Sequence, residues 1–126
     1  MENSKKKVIL IIEDEKKIAG LLEDKLVKEE YDILIAKDGK KGLKMITDEN
    51  PDLILLDLML PEMSGEEILK NMNESGLIKK IPVVIITAKA DDADAQNCLH
   101  VLGAKEYITK SNLSLDEIVG KIKKYI

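Results

Sequence analysis

Leu53-Ile54-Leu55-Leu56-Asp57 runs four large apolar side chains in unbroken succession onto a carboxylate. A strand with one face in water alternates apolar and polar residues, so a continuous run marks a strand covered on both faces. The first apolar run, Val8-Ile9-Leu10-Ile11-Ile12, follows the same rule and exits onto Glu13 and Asp14. If these strands are parallel, three acids collect at one edge of the sheet, and such a cluster wants a divalent cation.

Working outward, strand-length apolar runs recur at Ile33 to Ala36, Val83 to Ile86 and Tyr107-Ile108. Between them lie helical stripes, such as Ile18, Leu21, Leu22 and Leu26, or Leu115, Ile118, Val119, Ile122 and Ile126. Ser64 to Glu67 and Ser114 to Glu117 match the capping box that satisfies free amides at a helix start. Pro51 and Pro82 stand before strands, where a missing donor is tolerated, and Gly103 is placed to close the fourth helix. The order reads βαβαβαβαβα. Right-handed crossovers then place helices on both faces of an open doubly wound sheet, whose ligand site lies beyond the carboxyl ends of its strands.

Composition narrows the function classes. A chain of 126 residues, 44% hydrophobic, is expected to be one domain spanning 1–126, with 1–7 as a flexible, lysine-rich lead-in and no output domain. Charged residues make up 35% of it, yet the net charge is only -4, which gives no polyelectrolyte attraction. All 20 basic residues are lysines, so the bidentate fork that reads guanine is absent, and without Trp or Phe so are the larger stacking platforms. Direct nucleic-acid binding is not expected. No run approaches the ~18 apolar residues of a membrane span, and the single Cys98 is compatible with a reducing cytoplasm. A cytoplasmic protein without membrane contact is the expectation.

The strand ends read Glu13-Asp14, Lys37-Asp38, Asp57, Thr87-Ala88 and Thr109-Lys110. Any one acid has a plain alternative: Asp14 as a helix cap, Glu13 as a loop charge, Asp57 as a turn starter. Together they conflict, because carboxylates ~4 Å apart repel by about 4 kcal/mol at an effective dielectric near 20. A cation resolves that conflict, and few protein oxygens with room for water favour Mg²⁺ or Mn²⁺ over Ca²⁺. Beside a metal-bound carboxylate, a Thr87 hydroxyl and a Lys110 ammonium suit two oxygens of a phosphoryl group. This is the pattern of a phosphoryl site with an aspartate nucleophile.

With these residues in view, the chain resembles the receiver domains of two-component response regulators over nearly its whole length. The likeness rests on Glu13-Asp14, Asp57, Pro61 and Gly65, Thr87-Ala88, and Gly103-Ala104-Lys105-Glu106-Tyr107-Ile108-Thr109-Lys110, in order at the strand ends. It implies an α/β fold, an open five-stranded parallel (βα)5 sheet of flavodoxin-like order 2-1-3-4-5. It also implies a phosphorelay phosphoprotein in which Asp57 accepts a phosphoryl group from a histidine kinase or histidine phosphotransfer protein. Asp14, Asp57 and the Met59 carbonyl would bind Mg²⁺ directly, Glu13 would act through water, and Thr87 and Lys110 would hold phosphoryl oxygens. Thr87 moving inward would make room for Tyr107, reporting the event to a downstream target on the fourth helix, fifth strand and fifth helix. No enzymatic turnover is expected beyond Mg²⁺-dependent autophosphorylation and slow autodephosphorylation.

The chain departs from the family at Ser111, where many receivers carry proline after the lysine in a cis bond. Before serine a cis bond costs ~3 kcal/mol, so either the loop holds strain or it is built differently. Glu13 is longer than the aspartate common there. Met59 and Lys89 occupy positions that govern water access to the acyl phosphate in the family, with Lys89 either shielding or recruiting a water. His100 is expected to face solvent, and Cys98 to be a small core residue on a stripe with Ala95, Leu99 and Leu102. The alternatives are a receiver that is part of a longer regulator with an output domain, and a Mg²⁺-dependent aspartate-nucleophile phosphohydrolase. The latter places its Asp-x-Asp after the first strand and adds a cap.

Overall fold

The computed structural model describes residues 6–126. The expected lead-in at 1–7 falls outside the described residues except for Lys6 and Lys7, and the Lys7 carbonyl already accepts from the Asp32 amide. Five strands, β1 (Val8–Ile12), β2 (Asp32–Ala36), β3 (Leu53–Leu56), β4 (Val83–Thr87) and β5 (Glu106–Thr109), form one parallel sheet in the order β2-β1-β3-β4-β5. Helices α1 (Lys16–Lys28), α2 (Gly39–Glu49), α3 (Gly65–Ser75), α4 (Asp92–Gln96) and α5 (Leu115–Lys123) connect and follow them. The fold class and strand order are those expected.

The unbroken apolar runs feed two cores, because successive strand residues point to opposite faces. Leu10, Ile12, Ile54, Leu56, Val83 and Ile85 pack with Ile46 of α2 and Ile68, Leu69 and Met72 of α3. Ile9, Ile11, Leu53, Leu55, Val84 and Ile86 face the other way, onto Leu22 and Leu26 of α1 and Ile118, Val119 and Ile122 of α5. β3, at the centre, is buried throughout, whereas β5, at an edge, is only half-buried along its length.

Both expected serine N-caps are present at helix starts, each making the serine half of the capping box. Ser64 accepts from the Glu67 amide to open α3, and Ser114 accepts from the Glu117 amide to open α5. The fourth helix differs from a uniform amphipathic one. Its α-helical part contributes no buried residue, and the chain then widens into a π turn over Asn97–Val101, with the Leu102 amide bonded to the Asn97 carbonyl. Cys98 and Leu102 are buried on the sheet side, Ala95 and Leu99 are half-buried, and His100 is exposed. Gly103 ends the segment at φ +93°, a left-handed backbone open to glycine at little steric cost.

Parallel register sets the functional edge. Ile12 pairs with Leu56, Leu56 with Ile85, and Thr87 with Thr109, so the residues that follow them emerge side by side. The Asp57 amide donates to the Ile12 carbonyl at 3.1 Å, continuing the ladder one residue past β3 and fixing the acid beside Glu13.

Candidate phosphoacceptor and cation site

The buried polar or charged residues in the described chain are Glu13, Asp57 and Thr87, and all three stand at carboxyl ends of strands. An otherwise apolar core tolerates such groups only where they find partners. Glu13 and Asp57 are each 3% exposed, and Asp14 beside them is open to solvent. Ligand oxygens of Glu13, Asp14 and Asp57 lie within 4.8 Å of one another, so the sheet does gather the three acids. A cavity of about 260 Å³ adjoins Glu13 and Asp14 on the α1 side, floored by Ala19, Gly20 and Ile35.

Lys110 arrives from the end of β5 and supplies the counter-charge. Its Nζ lies 3.0 Å from Asp57 Oδ2, 3.0 Å from Glu13 Oε1 and 2.5 Å from Glu15 Oε1. Burial pulls the ammonium pKa down, but hydrogen bonds to Glu15, Asp57 and Glu13 outweigh it and hold the group above its ordinary range. Glu13 goes the other way for a carboxylate. Burial pushes its pKa from 4.5 up to about 7, with the Asp57 charge adding to the rise, against hydrogen bonds from the Glu15 amide and Lys110.

Asp57 is held as well as placed. Its Oδ1 accepts from the Met59 amide at 3.1 Å, while the Met59 side chain stands 56% exposed. Behind it, the first turn of α3 abuts the strand exit: a Cβ on Gly65 would lie 2.3 Å from the Asp57 carbonyl oxygen. Only glycine permits that approach. Pro61 contributes through its carbonyl, which accepts from the Gly39 and Met63 amides and pins the loop after Asp57 to the start of α2.

Thr87 is fully buried, and its Oγ1 accepts a long 3.4 Å bond from the Lys89 amide. Tyr107 is half-buried, and its hydroxyl donates to the Lys89 carbonyl at 2.8 Å. Desolvation raises the Tyr107 phenol pKa to about 12. The Lys89 ammonium is engaged by Glu66 of α3 at 3.4 Å and Asp94 of α4 at 3.3 Å. Cys98 is a core residue whose thiol burial pushes up to about 11.

The loop after Lys110 also takes a definite form. No peptide bond in the described residues is cis, and Lys110–Asn112 make a 3₁₀ turn in which the Leu113 amide donates to the Lys110 carbonyl. Ser111 and Asn112 side chains both reach the Thr109 hydroxyl, and proline at 111 would lack the first of these contacts. Two contributions are not evident from the residue pattern: Glu15 as a third carboxylate on Lys110, and Glu66 with Asp94 as the partners of Lys89. The run Glu13-Asp14-Glu15 is the one signal for the first of these.

The comparison with known proteins assigns the class directly. Residues 9–123 match the family model described as the response regulator receiver domain, and the chain belongs to that family, the receivers of two-component systems. Among particular relatives, the transcriptional regulatory protein DltR of Streptococcus agalactiae is 41% identical over 115 residues, covering 91% of this chain and 50% of that protein. The chain thus spans about half the length of the curated relatives it matches. The CheY-like receiver domain protein of Methanospirillum hungatei superposes with TM-score 0.86 at 29% identity, covering 95% of this chain and 93% of that one. The response regulator protein TrrA of Thermotoga maritima, solved in complex with Mg²⁺-BeF, gives TM-score 0.79 at 30% identity, covering 95% and 99%.

Proposed function

We propose that the chain is a phosphorylation-activated signalling switch whose acceptor is Asp57. The single observation that carries this reading is Lys110 Nζ at 3.0 Å from Asp57 Oδ2, at the edge where the described buried polar residues gather. An Asp57 oxygen attacks the phosphorus of a phosphohistidine on a histidine kinase or histidine phosphotransfer protein. The O–P bond forms, the P–N bond breaks, and the electron pair stays with the departing imidazole. Lys110 and Thr87 then donate to two phosphoryl oxygens. The reaction is stoichiometric transfer, with autophosphorylation from small donors and slow autodephosphorylation as its only intrinsic chemistry.

The donor set fits a small hard cation: three carboxylates converge, two of them buried, against one ammonium. Asp14, Asp57 and the Met59 carbonyl would hold Mg²⁺, or Mn²⁺, with Glu13 acting through water, and the ion would neutralise charge on the phosphoryl oxygens. The TrrA complex with Mg²⁺-BeF supports this assignment. Output passes through Thr87 and Tyr107 to α4, β5 and α5, where a target protein docks without direct contact to nucleic acid or membrane. The proposed setting is the cytoplasm, and no helix among the described residues is long and apolar enough to cross a membrane. The 50% coverage of DltR favours a second reading of the output, in which such a receiver serves a longer regulator.

Phosphoramidate with Mg²⁺ tests the reading. Wild type gains an acid-stable, base-labile phosphoryl group and Asp57→Asn gains none; equal labelling of both would sink the assignment. A panel of phosphate esters turned over without any kinase would instead favour the phosphohydrolase.

A further inference from the structure

An ammonium has three N–H donors, and three carboxylates surround that of Lys110. Asp57 and Glu13 have roles in the reading above, but Glu15 has none. It occupies the N-cap position of α1, where short polar side chains normally satisfy free amides, yet its own side chain caps nothing. Instead it reaches the end of β5, and its contact with Lys110, at 2.5 Å, is the shortest of the three. Its main chain is tied on both sides, the amide to Glu13 Oε2 at 3.1 Å and the carbonyl to the Ala19 amide at 3.0 Å.

We propose that Glu15 is a positioning residue that holds the Lys110 ammonium away from the phosphoryl position and so restrains the loading of Asp57. The inference rests on the phosphoacceptor reading and deepens it. A phosphoryl group on Asp57 must recruit a Lys110 N–H, and the nearby carboxylates compete for it. Loading turns the Asp57 carboxylate into an acyl phosphate, and a cation in the site engages Glu13. Glu15 is then the competitor that remains, and its charge also opposes an incoming dianion.

Beryllofluoride, which stands in for the phosphoryl group, is titrated at saturating Mg²⁺ into wild type, Glu15→Ala and Glu15→Asp. Asp keeps the charge but turns it toward the amides of α1. Both variants are expected to bind beryllofluoride about fivefold more tightly, the size of effect one half-exposed ion pair commands. Mg²⁺ alone, measured by calorimetry, is expected to bind Glu15→Ala no more tightly than wild type, whereas general loosening of the site would weaken both ligands. By NMR, water exchange of the Lys110 ammonium protons is expected to quicken in both variants before any ligand is added. Unchanged exchange, or unchanged beryllofluoride affinity in both variants, overturns the role of Glu15 while leaving Asp57 as acceptor. Wild-type behaviour of Glu15→Asp alone overturns the contact in favour of a simple field effect. A wild type that takes no beryllofluoride overturns the acceptor reading and this role with it, even where the exchange data confirm the contact.

Discussion

The loops after β3 and β4 leave neighbouring strands at the same edge, but they are built in opposite ways. The loop after β3 is clamped. Gly65 lies against the Asp57 backbone, and Gly39 approaches the Met63 carbonyl so closely that a Cβ would fall 1.8 Å from its oxygen. The loop after β4 is held by a 3.4 Å bond to Thr87, a Tyr107 hydroxyl and two half-exposed ion pairs of Lys89, and it leads into an α4 with no buried residue. Few buried contacts and solvent-facing hydrogen bonds are the marks of low local stability. One loop therefore suits holding a reacting carboxylate still, and the other suits changing arrangement when that carboxylate is modified.

The sharpest way to break this contrast is at Asp57, the proposed acceptor. Asp57→Asn is expected to abolish phosphoryl incorporation entirely while leaving the amide exchange of the β4–α4 loop near that of unmodified wild type. In wild type the same exchange changes on loading, and mass spectrometry of both states reads the difference. Identical exchange in loaded and unloaded wild type would remove the moving half of the comparison.

Gly65→Ala tests the clamp. The added methyl meets backbone atoms, 2.3 Å from the Asp57 oxygen and 2.7 Å from Leu58 Cα, so the strand exit or α3 must shift. A loss of about 3 kcal/mol or more in urea unfolding is expected, at the upper end of overpacking effects. A loss below about 1 kcal/mol would show that the loop after Asp57 is as yielding as the one after Thr87.

Glu13 makes the clamped side depend on pH. Its folded pKa of about 7 stands above the ordinary 4.5, so the native state binds the extra proton between those values. Stability is then expected to fall as pH rises from 4.5 through 7, by up to about 1.4 kcal/mol per pH unit and about 3 kcal/mol in all. Glu13→Gln should flatten the slope, and so should Mg²⁺, which favours the carboxylate. A wild-type urea midpoint independent of pH across this window would contradict the burial argument.

The smallest effect is expected at Lys89. Its partners are about one-third exposed, so Lys89→Ala should cost no more than about 1 kcal/mol globally. Amide exchange across residues 89–96 should nevertheless quicken. A global loss comparable to Gly65→Ala would mean that the two loops are equally structural.

The apolar runs located every strand, and with them the exits at Asp14, Asp57, Thr87 and Lys110, because burial on both faces requires side chains that are apolar one after another. The two capped helix starts were legible from local chemistry and the doubly wound sheet from crossover geometry, whereas the strand order came only with the resemblance to receiver domains. Glu15 was not, since its partner is 95 residues away and an acid before a helix reads first as a solvated charge. The partners of Lys89 were not legible either, for Glu66 is 23 residues distant. The π turn over Asn97–Val101 had no marker either, for the residues there fit an ordinary helix equally well.

Hydrophobic succession, capping residues and glycine are properties of single positions and their near neighbours, and from them follow the sheet, its carboxyl edge and the place of Asp57 on it. Which charges pair at that edge is different. A lysine side chain reaches several ångströms in many directions, and its choice among Glu13, Glu15 and Asp57 depends on register, burial and the lie of β5 against β1 and β3. Lys110 takes Glu13 and Asp57 because the parallel strands end level and a buried carboxylate needs a counter-charge, and Glu15 joins them from the exposed side.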